Sequence, residues 1–562
     1  MKRKLTKIRF ENIIKSNLTS LILCIALAFL TRDLFAESLS KNQIAESRDF
    51  MVVTSDPNAT EAAKKILATG GTAADAAIAA QLVLGLTEPQ ASGLGGGAFV
   101  LYFNQSNEKI STFDARETAP SSATESLFLN SDGNPIDFIS ASTSGKSIGI
   151  PGTPALVGIL HDRFGSLPMD VLISSAYKLA SEGFLKSDGL KKSISSQRNL
   201  LSKNPSSKKY FLSSDLLINK EYAKNLISLA KNNYKIFYQH PISTEIIKMV
   251  KKNGGEIHQR DFDRYEVVER EPVCENIRGY KVCSMGEPSS GGLTMLQILK
   301  MIEYKPTWHR YIEASKLAFA DRNLYHADPD FVDTPGTKLL DREYIRERQK
   351  IISSNKVIRD AQPGVPLGWQ NKLSLGHESL EEGTTHISII DKYGNIISMT
   401  STIETSFGSK IMSNGYLLNN ELTDFSFIPS SNNLKVANRV QPNKRPRSSM
   451  TPTIVFESNT KKPVLVIGSA GGSRIIGHVT QRIFDILFNK KNLADAIMHP
   501  HILSRGYDVE TEAESSIADE LIKRGHKINI MSLPSGINAI YIGKGSYLGV
   551  SDPRRIGTAA GN

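Results

Sequence analysis

The sequence predicts an α+β fold, and three observations carry that expectation. An Ala-rich helical block follows the leader, and amphipathic helical periodicity fills 154–252. From Thr384 onward the pattern turns to short β-branched strands separated by Gly and Asn turns. At 562 residues the chain can bury a large core, and length alone suggests two or more domains.

The leader comes first. Lys2, Arg3, Lys4, Lys7, Arg9 and Lys15 precede an apolar run over 18–30 that ends near Leu34-Phe35-Ala36. A basic segment, a short apolar run and a small exit residue describe a secretory signal peptide over 1–36. The run is shorter than the roughly 20 residues of a comfortable membrane span; an uncleaved signal anchor is the alternative reading. Leu23 before Cys24 argues against a lipoprotein site. The expectation is a periplasmic or secreted protein. The formal charge of +11 owes much to this leader, and the other Lys and Arg residues are scattered, so no nucleic-acid partner is expected.

Two helices open the body of the chain. The first, over 60–69, ends at Gly70-Gly71, and Thr72-Ala73-Ala74-Asp75 resembles a capping box starting a second one through Leu84. Gly93-Leu94-Gly95-Gly96-Gly97 then leads into a strand over 98–103. These glycines precede a strand and no Lys-Ser/Thr follows, which disfavours a nucleotide loop. Cys274 and Cys283 flank a hairpin with a Gly-containing turn. A cross-strand disulfide and two free buried thiols are both open there, the first favoured by an oxidising compartment. The histidines are scattered, so no metal is expected. A helix is expected over 308–325, and 330–382 reads as a loose linker or surface loop.

Thr384-Thr385-His386-Ile387-Ser388-Ile389-Ile390 and Ile396-Ile397-Ser398-Met399-Thr400-Ser401-Thr402 form the next hairpin. Folding about Tyr393 sets Ile390 opposite Ile396 and Thr384 opposite Thr402, so a hydroxyl would lie beside Thr384. A plain Thr-rich hairpin is the competing reading. A threonine hydroxyl is a poor nucleophile without an adjacent base. A free α-amine, with a reference pKa of roughly 7.7–8, can serve if the chain is cut before that threonine. A nucleophile that uses its own amine as base requires no cofactor. Gly383 would leave the scissile carbonyl unshielded and the backbone free to strain. His386 is expected to pack or hydrogen-bond.

These residues, together with several other stretches, resemble the γ-glutamyltranspeptidase family of the N-terminal-nucleophile hydrolases. The resemblance rests on Glu88-Pro89-Gln90, Asp114-Ala115-Arg116-Glu117-Thr118-Ala119-Pro120, Ile150-Pro151-Gly152-Thr153, Pro288-Ser289-Ser290-Gly291-Gly292, Glu313-Ala314-Ser315-Lys316 with Ala320-Asp321-Arg322, and Gly383-Thr384-Thr385-His386. It continues through Asn419-Asn420-Glu421-Leu422-Thr423-Asp424, the run from Pro442 to Met450, and Gly468-Ser469-Ala470-Gly471-Gly472-Ser473-Arg474. It implies a four-layer αββα sandwich that cuts itself into two subunits, here 37–383 and 384–562, which share one fold as a heterodimer. It implies glutathione and related γ-glutamyl compounds as donors, and water, amino acids or dipeptides as acceptors.

The resemblance also implies roles. Thr384 is the nucleophile, supported by Thr402, and Gly383/Thr384 is the cleavage site. Arg116 clamps the donor's α-carboxylate, a task suited to its planar fork, and Ser448 and Ser449 also hydrogen-bond it. Glu421 and Asp424 receive the α-ammonium, and Glu404 lies where family members carry Asn or Glu. Backbone N–H groups at Gly471 and Gly472 form the oxyanion hole. Two departures stand out: Arg447 replaces an apolar residue before the serine pair, and the segment between Asp424 and Pro442 resembles a shortened lid with Phe425 and Phe427 but no Tyr or Trp. Two rival readings are a cephalosporin or glutaryl acylase of the same superfamily and a non-catalytic periplasmic protein that binds γ-glutamyl peptides.

Overall fold

The expected Thr-rich hairpin lies at the centre of a seven-stranded antiparallel sheet. In the computed structural model, which describes residues 39–376, 383–506 and 508–562, strands Gly383–Ile390 and Ile396–Glu404 are buried along their whole length. Both faces are covered, so apolar and small polar residues alternate without a wet side. The sheet order is Thr558–Gly561, Met51–Thr54, Gly383–Ile390, Ile396–Glu404, Gly97–Asn104, Lys109–Ala115 and Val268–Arg270. Strands from both ends of the chain therefore flank the hairpin.

A second seven-stranded sheet runs Ile44–Ser47, Tyr547–Ser551, Asn538–Ile542, Pro463–Gly468, Thr453–Glu457, Tyr280–Ser284 and Val273–Ile277. It packs face to face on the first through a partly polar seam. Asn538 Nδ2 donates to the carbonyl of His386 at 2.7 Å, and Ser388 Oγ donates to the carbonyl of Asn538 at 2.9 Å. The His386 ring lies so close to Gly468 that a Cβ there would come within 2.2 Å of it.

Helices cover both outer faces. Pro57–Ala68, Ala73–Thr87, Thr153–Phe164 and Met169–Glu182 belong to the first sheet's side. Gly291–Ile302, Trp308–Tyr325 and Arg474–Ile483 belong to the second. The result is the αββα sandwich that the family resemblance implied. Among the described residues no helix is long and apolar enough to cross a membrane. The leader, 1–36, lies outside the described residues, as do 377–382 of the expected linker.

Local expectations met different outcomes. The Thr72–Asp75 capping box is present and starts Ala73–Thr87. The helix before it begins earlier than expected, at Pro57, because Asp56 caps it by accepting from Asn58 N at 2.9 Å. The linker reading of 330–382 is corrected: Arg342–Ile351 is a helix whose Tyr344, Ile345 and Arg348 turn inward, and Leu373–Ser374 pairs with Leu434–Val436. Its apolar positions are too few for periodicity to reveal the helix. Cys274 faces Cys283 across the Val273–Ile277/Tyr280–Ser284 hairpin, and their sulfurs are bonded, with Cα atoms 4.1 Å apart.

Candidate active site

The hairpin ladder is regular from Ile390↔Ile396 to Thr385↔Ser401 and then shifts, so that Gly383 pairs with Glu404. The expected opposition of Thr384 and Thr402 is thus replaced by a bulge in which Thr402 and Ile403 together face Thr384. The consequence is chemical. Thr384 Oγ1 donates to the carbonyl oxygen of Gly383 at 2.5 Å, and Thr402 Oγ1 donates to the same oxygen at 2.6 Å. Thr402 Oγ1 in turn accepts from Glu404 N at 2.8 Å, which commits its proton to that carbonyl. Thr402 therefore polarises the peptide before Thr384; it does not hold the Thr384 hydroxyl as expected.

Gly383 is needed for space, and its φ is not in the left-handed region. A Cβ on it would lie 2.5 Å from the carbonyl oxygen of Glu404. Gly96 has a similar reason: its Cβ would lie 2.0 Å from the carbonyl oxygen of Thr402. The Gly-rich loop lets two backbones approach behind the bulge, which a side chain would prevent.

One narrow cleft is lined by Gly383, Thr384 and Thr402 together with Arg116, Glu404, Glu421, Asp424 and Ser448, and Met450 and Ile475 complete its wall. Arg116 leaves the end of Lys109–Ala115 and is buried. Its guanidinium forms short ion pairs with Glu421 and Asp424 and donates to the carbonyls of Pro446 at 3.2 Å and Arg447 at 3.0 Å. The carboxylates assigned to an ammonium and the arginine assigned to a carboxylate thus compensate one another's charge. One cation faces two carboxylates here, and removing a partner from such a buried cluster is strongly destabilising. Asn419 fixes the acidic turn, accepting from Glu421 N at 3.0 Å and Gly149 N at 2.9 Å. Glu404 has a φ of 79°, a left-handed conformation rare outside glycine and concentrated at functional sites. Its carboxylate accepts a short hydrogen bond from Asn420 Nδ2.

Ser448 Oγ accepts from Met450 N at 3.2 Å, and Ser449 Oγ accepts from Arg322 Nη2 at 2.7 Å. Ser449 follows the cleft-lining Ser448, and Gly471 and Gly472 come four and three residues before Ile475. The glycines have φ values of 122° and 59° and open the helix Arg474–Ile483, whose second residue, Ile475, lines the cleft. The Arg447 guanidinium donates to the carbonyl of Arg322 at 3.1 Å, and it is the Arg447 carbonyl that Arg116 meets. Phe425 and Phe427 join an apolar cluster with Phe128, whose ring stacks on Phe427 at 4.4 Å.

Sequence reasoning missed four groups, three of them buried and Arg555 half-buried. Glu117, beside Arg116, is buried in the same acidic cluster as Glu421; burial pushes both carboxyls up, against the opposing pull of Arg116. Arg555 Nη1 donates to the carbonyl of Thr384 at 2.9 Å and to Glu88 Oε1 at 3.0 Å. Burial raises the Glu88 carboxyl to about 7, with Arg555 holding it back. Arg322 carries Ser449. The sequence signal was the presence of Glu88, Glu117 and Arg322 in the recognised stretches; Arg555 gave none. His386 donates or accepts at Thr400 Oγ1 (2.8 Å) and Ser388 Oγ (3.1 Å), and burial lowers its pKa to about 3, so it stands as a neutral packing and hydrogen-bonding group. Among the described residues no cluster of three or more His, Cys, Asp or Glu side chains is arranged to hold a metal ion.

Comparison with known proteins agrees with this geometry. A family model described as gamma-glutamyltranspeptidase matches residues 59–562. The chain is 35% identical over 550 residues to the glutathione hydrolase proenzyme of Bacillus subtilis (strain 168), covering 92% of each chain. It is 36% identical over 538 residues to the protein of that name from Escherichia coli (strain K12), covering 90% of each. Among solved structures, cephalosporin acylase from Bacillus halodurans superposes with a TM-score of 0.82 over 93% of this chain and 97% of that one; at 24% identity the likeness shows the fold alone. Gamma-glutamyltranspeptidase from Helicobacter pylori is 34% identical with a TM-score of 0.54, covering 56% of this chain and 96% of that one. The chain is an enzyme of the gamma-glutamyltranspeptidase family.

Proposed function

We propose that the chain is the precursor of an exported γ-glutamyltransferase and glutathione hydrolase that cuts itself between Gly383 and Thr384. The observation that carries this reading is the convergence of the Thr384 and Thr402 hydroxyls on the Gly383 carbonyl oxygen, at 2.5 and 2.6 Å. In the cut, Thr384 Oγ1 attacks the Gly383 carbonyl carbon, and Thr402 stabilises the oxygen as it gains charge. The C–N bond breaks, and the amine of Thr384 leaves while Gly383 becomes an ester of the hydroxyl. Water hydrolyses the ester. Two pieces result, 37–383 and 384–562, held as a heterodimer by a hydrophobic core and sheets to which both contribute.

The freed α-amine of Thr384 then takes the proton of its own hydroxyl. The hydroxyl attacks the γ-carbonyl of glutathione or a related γ-glutamyl amide. The leaving amine departs protonated, and a γ-glutamyl ester remains for water or an amino acid or peptide amine. The backbone N–H groups of Gly471 and Gly472 hold the oxyanion. Arg116, Ser448 and Ser449 bind the α-carboxylate, and Glu404, Glu421 and Asp424 bind the α-ammonium. The name glutathione hydrolase proenzyme carried by relatives at 35% and 36% identity supports both the substrate and the processing. The three acidic residues disfavour a glutaryl acylase, whose substrates lack the ammonium. The shortened 425–441 segment, with its phenylalanines packed inward, supports an open cleft that admits water.

Hydrolysis of γ-glutamyl-4-nitroanilide against glutaryl-4-nitroanilide tests the reading. The γ-glutamyl compound is expected to be the faster substrate, and a faster glutaryl substrate would overturn the assignment. A binding protein would turn over neither.

A further inference from the structure

Arg322 lies in the last turn of Trp308–Tyr325, fully buried, and its guanidinium reaches Ser449 directly and the Ser448 backbone through Ser290. Nη2 donates to Ser449 Oγ at 2.7 Å. Nε donates to Ser290 Oγ at 2.9 Å, and Ser290 Oγ donates to the carbonyl of Ser448 at 2.7 Å. The direction of this relay is dictated, because a guanidinium has donors and no acceptor and does not lose its proton. Ser449 must therefore accept from Arg322, and Ser290 must accept from Nε and spend its proton on Ser448. Ser448 Oγ is likewise an acceptor, from Met450 N at 3.2 Å. A hydroxyl has one proton and two lone pairs. With an internal donor on each oxygen, the protons of both serines remain for a group in the cleft that can only accept.

Building on the function proposed above, we propose that Arg322 is a positioning residue that fixes Ser449 as a hydrogen-bond donor, holds the Ser448 backbone beside it through Ser290, and so selects a donor substrate with a free α-carboxylate. Arg322 need not touch that carboxylate. A carboxylate is acceptor-only and matches two outward protons, whereas an α-carboxamide presents an N–H₂ group that one serine would have to accept. The two outward hydroxyls supplement Arg116, whose guanidinium also serves Glu421 and Asp424. Recognition of the carboxylate thus depends on a second arginine behind the serines.

The test uses the full-length processed protein with γ-glutamyl-4-nitroanilide and its α-carboxamide counterpart. Arg322→Gln can both donate and accept, which lets the Ser449 hydroxyl turn inward; Arg322→Lys keeps an obligate donor but supplies one point in place of two. Arg322→Gln is expected to raise KM for the α-carboxylate substrate about tenfold with kcat within about threefold, the loss of one hydrogen bond to a charged group. The preference over the α-carboxamide should narrow by a similar factor, and Arg322→Lys should recover part of it. Combined with Ser449→Ala, the substitution should cost no more than Ser449→Ala alone, since both act through one hydroxyl. A fall in kcat at constant KM, an unchanged carboxylate preference, or multiplying effects in the double variant would overturn the proposal. If the Arg322 variants are not processed, Ser290→Ala severs the arm that holds the Ser448 carbonyl and with it the placement of the serine pair; it should raise KM about threefold, and an unchanged KM overturns the proposal by that route. Wild-type turnover of γ-glutamyl-4-nitroanilide tests the functional reading by itself, and only the variant ratios test the role of Arg322.

Discussion

Gly383, Thr384 and Thr402 lie on two strands of one hairpin, joined by the turn 391–395. Arg116, Glu421 and Ser448 reach the same cleft from distant segments, the first two 305 positions apart in the chain. The reacting half uses hydroxyls and a peptide carbonyl, with the Arg555–Glu88 pair set behind it at the Thr384 carbonyl. The recognising half is a buried knot of charge in which Arg116, Glu421 and Asp424 hold one another. The difference teaches how each half can be damaged. Loss of a hydroxyl removes a proton donor and leaves packing almost intact, whereas loss of one charge strands its partners in a dry interior.

The largest effect should come from the nucleophile. Thr384→Ala is expected to remain one unbroken chain on a denaturing gel and to lose at least about 10⁴-fold in turnover, while folding as the wild type does. Arg116→Gln should behave differently, because it leaves Glu421 and Asp424 uncompensated. Unfolding by denaturant should show a loss of about 3–5 kcal/mol together with a raised KM. Equal stability of Arg116→Gln and wild type would dissolve the contrast between the halves. Thr402→Val should slow self-cleavage about 10²–10³-fold, as removal of one preorganised donor from a developing oxyanion does, with a smaller effect on turnover once cut. A time course of chain cleavage separates the two.

The hairpin register was readable because period-2 alternation and one turn fix it, and Ile390↔Ile396 through Thr385↔Ser401 pair as the arithmetic requires. The same arithmetic failed at Thr384. A bulge is a tertiary device, set here by the close approach of Gly96 to the carbonyl of Thr402 and of Gly383 to that of Glu404. The helix Trp308–Tyr325 was legible in full, yet the use of Arg322 was not, since its targets Ser290 and Ser449 lie 32 and 127 residues away in the chain. Arg116 and the acidic pair were recognised only through family motifs. Spacing carries no sign that Arg116 and Glu421 meet, nor that burial pushes up the Glu117 carboxyl beside them.

The smallest expected effect separates the halves by pH. Burial holds the His386 imidazole at about 3 against 6.5 for an ordinary histidine. A depressed histidine stabilises the fold fully above 6.5 and loses that contribution as pH falls toward 3. Glu117 and Glu421 run the other way: burial raises both, so their contribution is full below 4.5 and is lost as pH rises through the raised values. Acid therefore attacks His386 beside the reacting half, and alkali attacks Glu117 and Glu421 in the recognising half together with Glu88 behind Thr384. His386→Asn should flatten the fall in unfolding free energy below pH 6.5 while leaving the alkaline side unchanged; an unaltered acid limb would show that His386 is not the group responsible.

N-terminal sequencing of the small fragment of purified, active protein tests the central claim most directly. The account predicts a first residue of Thr384, followed by Thr385 and His386. An active protein that is one continuous chain, or a small fragment with any other first residue, would contradict it.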